Sequence, residues 1–386
     1  MHKILSERLG EIINSNAITT AYIDLRAIQK LILNVQKNKE FKSTHVYSLL
    51  RDMCLIIDEV IDAFFKDSIN VDERISKIRN HVHLYGKKRG QNQKIYRKIL
   101  DYHIEAYGDD VNNIGFYLNS DGEVVGSTLY AAYILLDTKN LPFPMIEKST
   151  HVAERNFSFA KYIGELSSTL ANAIEKELVL QVTENIGAIE EIYNEEIYGC
   201  KDINHKDLFV LESDVANTFI FRLILSLQEI SDVIWLRDRY IERLNQVAFL
   251  DLYIMLKLTT LKTDEIMDNL LNIKQHSKEL FYEWNNERNG EIESLLKKYE
   301  QEMKEECSMM RNMIHYDIES KNEESNFVGH LNNKVNQESD YLINTINVII
   351  DLYLRPLRYE ILHYLKIKEI KSLSDWEMIM NRLSKL

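Results

Sequence analysis

The sequence predicts an all-α protein of two helical bundles, with one small β-hairpin excursion near 114–136. Three observations carry this. Apolar residues recur every three or four positions through most of the chain, the period of a helix that buries one face. With only 12 Gly and 3 Pro among 386 residues, there are few breakers, so the helices should be long. One stretch alone alternates with period two around a turn dipeptide, which places the hairpin.

The elements follow in order. Leu5, Leu9, Ile12 and Ile13 set one helical stripe, and Ile23, Leu25, Ile28, Leu31, Ile32 and Val35 set another, so residues 3–37 are expected to be helical. "THVYSLLRDMCLIIDEVIDAFF" continues with a broad apolar face, and Ser43 or Thr44 stands where an N-cap hydroxyl would accept from the first free N–H groups. From Asp72 a further helix runs through Arg79 and His83 and should stop at Gly86, the residue type that tolerates a left-handed end. A helix near 91–107 precedes "IGFYLNSDGEVVGSTLYAAYILL", whose alternation around Asp121-Gly122 is the hairpin signal. "LPFP" at 141–144 holds two of the three prolines and marks a boundary between an N-terminal bundle, 1–140, and a C-terminal helical domain, 145–386. Beyond it "SDVIWLRDRYIERLNQVAFLDLYIMLKL", "IESLLKKYEQEMKEECSMMRNMIHY" and "DYLINTINVIIDLYLRPLRYEILHYL" each read as helix. Pro356 should kink or end the last, because it has no N–H to donate and its ring meets the carbonyl four residues back.

Bulk properties narrow the function classes. A formal net charge of −13 argues against a general nucleic-acid coat, since phosphate binding draws on Lys and Arg. Cys54, Cys200 and Cys307 are isolated, with no CxxC pair, and are expected to be buried thiols in a reducing cytosol. "MHKILSERLGEIINSNA" interrupts its apolar positions with Glu7, Arg8 and Glu11, unlike a signal peptide, and no apolar run reaches the ~18 residues a membrane helix needs. A soluble cytoplasmic protein without a membrane partner is therefore expected.

Two stretches share a skeleton. "KIRNHVHLYG" and "MMRNMIHYDIE" both carry Arg-Asn-x-x-His, at Arg79, Asn80 and His83 and again at Arg311, Asn312 and His315. On a helix, positions i and i+4 share a face, so each Arg would sit beside its His. A guanidinium grips phosphate oxygens in pairs and an imidazole moves protons near neutral pH, which suits phosphodiester chemistry. One pair cannot supply both acid and base, whereas two copies brought together could, and without a metal or other cofactor.

These residues resemble the signature of the HEPN superfamily, helical bundles whose Arg and His, usually with four to six residues between them, form a ribonuclease site where two such domains meet. Here three residues separate them. The resemblance implies that Arg79 and Arg311 bind phosphate, that His83 and His315 are catalytic, and that Asn80 and Asn312 orient the site. It also implies metal-independent cleavage of single-stranded RNA to a cyclic phosphate end, in a phage-defence or toxin-antitoxin setting, with a homodimer or an antitoxin-like protein as partner. The competing reading is a non-catalytic interaction or sensor protein in which each Arg-Asn-x-x-His is a polar knot tying helices together.

A feature independent of the family favours RNA. From Arg74 to Leu100 the chain has no acidic residue, while Arg74, Lys77, Arg79, Lys87, Lys88, Arg89, Lys94, Arg97 and Lys98 all fall inside that window. Tyr85 and Tyr96 are interleaved, with rings that could stack on unpaired bases. The alternative is a strip that neutralises the protein's own acidic surface. "HVH" at 81–83 lacks nearby carboxylates to complete a zinc set, "YGDD" at 107–110 lacks the strands of a polymerase palm, and no phosphate loop or nucleophile elbow is present.

Overall fold

The computed structural model describes residues 14–37, 45–66, 68–69, 71–80, 96–104, 113–118, 123–135, 152–178, 199–209, 212–241, 244 and 246–367. The helix start at 3–13, the Gly86 stop, the Asp121-Gly122 turn and the proline pair at 142 and 144 lie outside the described residues.

The protein is all-α with a small antiparallel sheet. The first two helices, α1 (Ser15–Lys37) and α2 (His45–Val60), occupy the apolar stripes the sequence marks, and α2 runs on through a π-helical turn, Ile61–Phe65. Then come α3 (Glu73–Asn80) and α4 (96–104). Strands β1 (Asn113–Leu118) and β2 (Val124–Ser127) pair antiparallel, with Phe116 opposite Ser127. The expected strand does not continue to 136: α5 (Thr128–Leu135, "TLYAAYIL") is helical. That octet is apolar throughout rather than alternating, and a buried apolar run fits a helix as well as a strand.

After α6 (Val152–Leu178) comes a third strand the sequence did not mark, β3 (Gly199–Asn204). It lies on the other edge of β1, giving the order β2-β1-β3. "GCKDIN" has little apolar alternation, so its pairing is decided by the exposed edge of β1 and not by its own pattern.

The remaining helices are α7 (Asp214–Trp235), α8 (Phe249–His276), α9 (Lys278–Glu287), α10 (Glu291–Glu302), α11 (Lys304–Asn312), α12 (Phe327–Gln337), α13 (Tyr341–Ile349) and α14 (Arg355–Tyr364). Two of the three long helical stretches expected here are broken. One is interrupted before α8, where the Ala248 N–H donates to the Asp251 carboxylate in a reciprocal cap, and one at Met303 between α10 and α11. Around Pro356 the chain stays helical, because a π turn at Ile350–Leu354 takes up the extra residue just ahead of the ring.

Helix α8 is the hub. Residues 253–267 are buried without interruption, and α1, α7, α11 and α13 pack around it. A helix buried on every side would be wholly apolar if nothing compensated its polar groups. Here Lys257, Lys262 and Glu265 are compensated from neighbouring helices: Lys257 by Asp24 of α1, Lys262 by Asp52 of α2 and by Glu229 and Asp232 of α7, and Glu265 by Arg51 of α2 at 2.5 Å. The apolar core is one continuous cluster running from Ala17 to Ile367, so helices from both sides of the 141–144 segment share it. Cys54 and Cys307 are buried thiols, and burial pushes Cys307 up to about 12.

Candidate functional site

The second motif sits at a helix end, not along a helix. Helix α11 stops at Asn312, and Met313 to His315 form a turn held by Ile314 N–H to Arg311 O and His315 N–H to Asn312 O. The expectation that Arg311 and His315 share one helical face is thereby corrected. No Gly or Pro stops the helix; its end is set by the next residue. Tyr316 turns inward and donates its hydroxyl at 2.7 Å to Asp24, which also receives Tyr253 and Lys257. A buried carboxylate with three donors outweighs the few helical hydrogen bonds given up.

The chain beyond Tyr316 is pinned as well. Asn326 accepts from the Asp317 N–H and donates to Asp317 O, while Asn14 and Asn16, at the start of α1, donate to the carbonyls of Asn322 and Glu323. His315 is thus an exposed side chain on a firmly held turn, 59% accessible.

Its partner comes from the far end of the sequence. His315 Nδ1 lies 2.8 Å from Oε2 of Glu59, in the last turn of α2. The other oxygen of Glu59 receives Nη2 of Arg79, whose Nε also lies 2.9 Å from Asp58. Arg79 belongs to the first Arg-Asn-x-x-His motif and His315 to the second, so one carboxylate joins the two. Arg311 of α11 has other partners: its Nε is 4.0 Å from Asp264 of α8, and its Nη1 donates to the neighbouring Asn312 at 3.3 Å. Burial, reinforced by Asp268, raises the Asp264 carboxyl, and burial raises Asp58 despite Arg79 beside it.

The sequence-derived candidates divide into three sets. Arg79 and His315 are brought together on Glu59, while Arg311 and Asn312 contact each other and Arg311 faces Asp264. Asn80 closes α3 next to Arg79. His83, Tyr85, Lys87, Lys88, Arg89 and Lys94 lie outside the described residues.

At the far end of the basic window the geometry differs from the expectation. Tyr96 is not free to stack on a base: it is buried at 4%, packs on Phe209 with ring centroids 5.6 Å apart, and accepts from Asn217 through its hydroxyl at 3.0 Å. A Tyr at the first described turn of an amphipathic helix points its ring wherever the apolar face points, and here that is the core. Arg97 is exposed but forked onto Asp214 at 2.7 and 2.8 Å, and Lys98 is exposed. Arg74 and Lys77 pair with Asp72 and Glu73. Arg74 and Lys77 thus use the carboxylates just ahead of the window, while Arg79 and Arg97 find theirs in other helices.

Sequence reasoning missed Glu59, Asp58 and Asp264. A signal existed, since "CLIIDEVIDAFF" and "IMLKLTTLKTDEIMD" place charges inside otherwise apolar helices. Such charges are rarely buried without partners. The partners lie from 20 positions away, as Arg79 does from Glu59, to 256 away, as His315 does, and have no local pattern. Among the described residues no cluster of three or more His, Cys, Asp or Glu is arranged to hold a metal ion, and no helix is long and apolar enough to cross a membrane. Comparison with family models, with curated proteins and with solved structures finds no match to the chain.

Proposed function

We propose that the protein is an endoribonuclease that cleaves single-stranded RNA at the Arg79, Arg311 and His315 site without a metal. The observation that carries this is the single carboxylate of Glu59 shared by Arg79 and His315, which unites the two halves of an Arg-His pair duplicated in the sequence. Arg79 and Arg311 supply cationic donors for the phosphate, and His315 supplies a proton acceptor.

In the proposed step the 2′-oxygen of the ribose forms a bond to phosphorus as the bond from phosphorus to the 5′-oxygen breaks. The 2′-hydroxyl proton passes to His315, and the departing 5′-oxygen takes a proton from water. The products are a 2′,3′-cyclic phosphate and a 5′-hydroxyl. The arginines stabilise the charge that builds on the phosphate oxygens.

A second reading has its own support: Arg79 is already neutralised by Asp58 and Glu59, and Arg311 faces Asp264, as in a polar knot that ties α2, α3, α8 and α11 together. The two readings part on activity. Labelled single-stranded RNA is incubated in EDTA with the parent protein, His315→Ala and Arg311→Ala, with melting curves alongside. Loss of roughly 10²–10⁴-fold in each variant with melting unchanged supports the nuclease. No cleavage by the parent, or cleavage indifferent to both changes, rejects it.

A further inference from the structure

We infer that Glu59 is a positioning residue for His315, holding the imidazole in its Nδ1–H tautomer so that Nε2 is the nitrogen that takes the proton. The inference rests on the nuclease reading above and adds a residue that neither motif contains.

The argument starts from what each atom can do. A carboxylate oxygen only accepts, so a 2.8 Å contact between Glu59 Oε2 and His315 Nδ1 requires the hydrogen on Nδ1. In the neutral ring that leaves the lone pair on Nε2, and the ring that carries it is 59% exposed. The acceptor is the more fixed of the two partners. The Glu59 side chain is only 12% exposed, its backbone is in the last helical turn before the π turn of α2, and its second oxygen is taken by Arg79. Arg79 in turn is held by Asp58. The carboxylate therefore cannot rotate to follow the histidine, and the histidine must align with it.

The same arrangement sets the relation between the two cationic groups. Because Arg79 and His315 use different oxygens of one carboxylate, they stand on either side of it. A hydrogen bond to a ring that is 59% exposed does little for folding, so stability alone gives little reason for the geometry. A base with the wrong tautomer, by contrast, loses its acceptor altogether.

The test reads the tautomer and the reaction separately. Nitrogen-15 NMR of the imidazole in the full chain should show His315 of the parent as the Nδ1–H form above the pH at which the ring is neutral. Glu59→Gln offers an amide that can accept or donate, and the signal should move toward the mixed tautomers of a free histidine. With labelled single-stranded RNA, Glu59→Gln should lose between roughly 10- and 10⁴-fold in kcat with a smaller change in KM, and Glu59→Asp should recover part of it. Melting curves identify a variant that has lost its fold, in which case Glu59→Asp carries the comparison. If the parent cleaves RNA and depends on His315 while Glu59→Gln keeps both its tautomer and its kcat, the positioning role is overturned and the nuclease stands. If the parent cleaves nothing, the nuclease reading falls and takes the catalytic role of Glu59 with it, whatever the tautomer signal.

Discussion

At the residue scale the chemistry is decided by who shares a carboxylate. The Arg, Asn and His of the second motif stand out in the sequence because their types are unusual on an apolar segment, and Arg311 donates to Asn312. Glu59 was not legible as their partner, because a contact between residues 256 positions apart leaves no periodic trace. The same holds in the core, where Arg51 and Lys262 meet four carboxylates, Asp52, Glu229, Asp232 and Glu265. Burial pushes Glu265 from an ordinary 4.5 up to about 7, against the pull of Arg51. The folded chain therefore holds a proton on Glu265 between those two values where the unfolded chain does not. Stability from this group is greatest toward the acid end of that window and declines as the pH rises to about 7. Glu306 works in the opposite sense. Burial would raise it, but hydrogen bonds from His330, Tyr341 and Lys334 hold it at about 2, so its contribution is present above the ordinary carboxylate range and lost as the pH falls toward 2. On these two groups the melting temperature should peak near the ordinary carboxylate value of about 4.5. Glu265→Gln should raise it by a few degrees at pH 8 and change it little at pH 5, as calorimetry can check; equal effects at both would contradict the assignment. Lys262→Met should cost about 3–5 kcal/mol, because it leaves buried carboxylates with too few cations.

Elements show where period is a sufficient guide and where packing overrides it. Helices α1 and α2 follow stripes that can be read directly, and β1 with β2 follows the one alternating segment. The helix ends were less legible. At Asn312 the stop is caused by Tyr316 reaching Asp24, and at Pro356 a π turn lets the chain continue where a stop or kink was expected. The turn that carries His315 has its own structural keystone in Gly329 of α12. A Cβ placed there would lie 1.7 Å from the carbonyl oxygen of Glu323 and 2.8 Å from the side-chain nitrogen of Asn16. Neither a backbone carbonyl nor the start of α1 can simply swing aside. Gly329→Ala should therefore destabilise by at least ~1–3 kcal/mol. Hydrogen exchange should show the loss concentrated in residues 313–326, and on the proposed function RNA cleavage should fall with it, since His315 rides on that segment. An Ala variant with parental melting and exchange would mean the close approach is not fixed.

On the scale of the whole molecule, the all-helical class with a small sheet was legible from composition and period, and the shared core was not. Local pattern cannot report that α8 draws its compensating charges from α1, α2 and α7 at once. It follows that residues 145–386 expressed alone should not reach a native fold, because Asp24, Arg51 and Asp52 would be missing from around Lys257, Lys262 and Glu265. A fragment with a sharp melting transition and dispersed amide spectrum would show that the C-terminal part stands by itself.

The proposed function requires the same convergence to make one site out of two distant motifs, and a double-mutant cycle tests it most directly. Cleavage of single-stranded RNA in EDTA is measured for the parent, Arg79→Ala, His315→Ala and the double variant. If Glu59 unites them in one catalytic unit, each single change should lose on the order of 10²–10⁴-fold and the double should lose little more than the worse single, because groups acting as a unit are not additive. Activity retained in Arg79→Ala, or losses that simply multiply, would contradict a shared site.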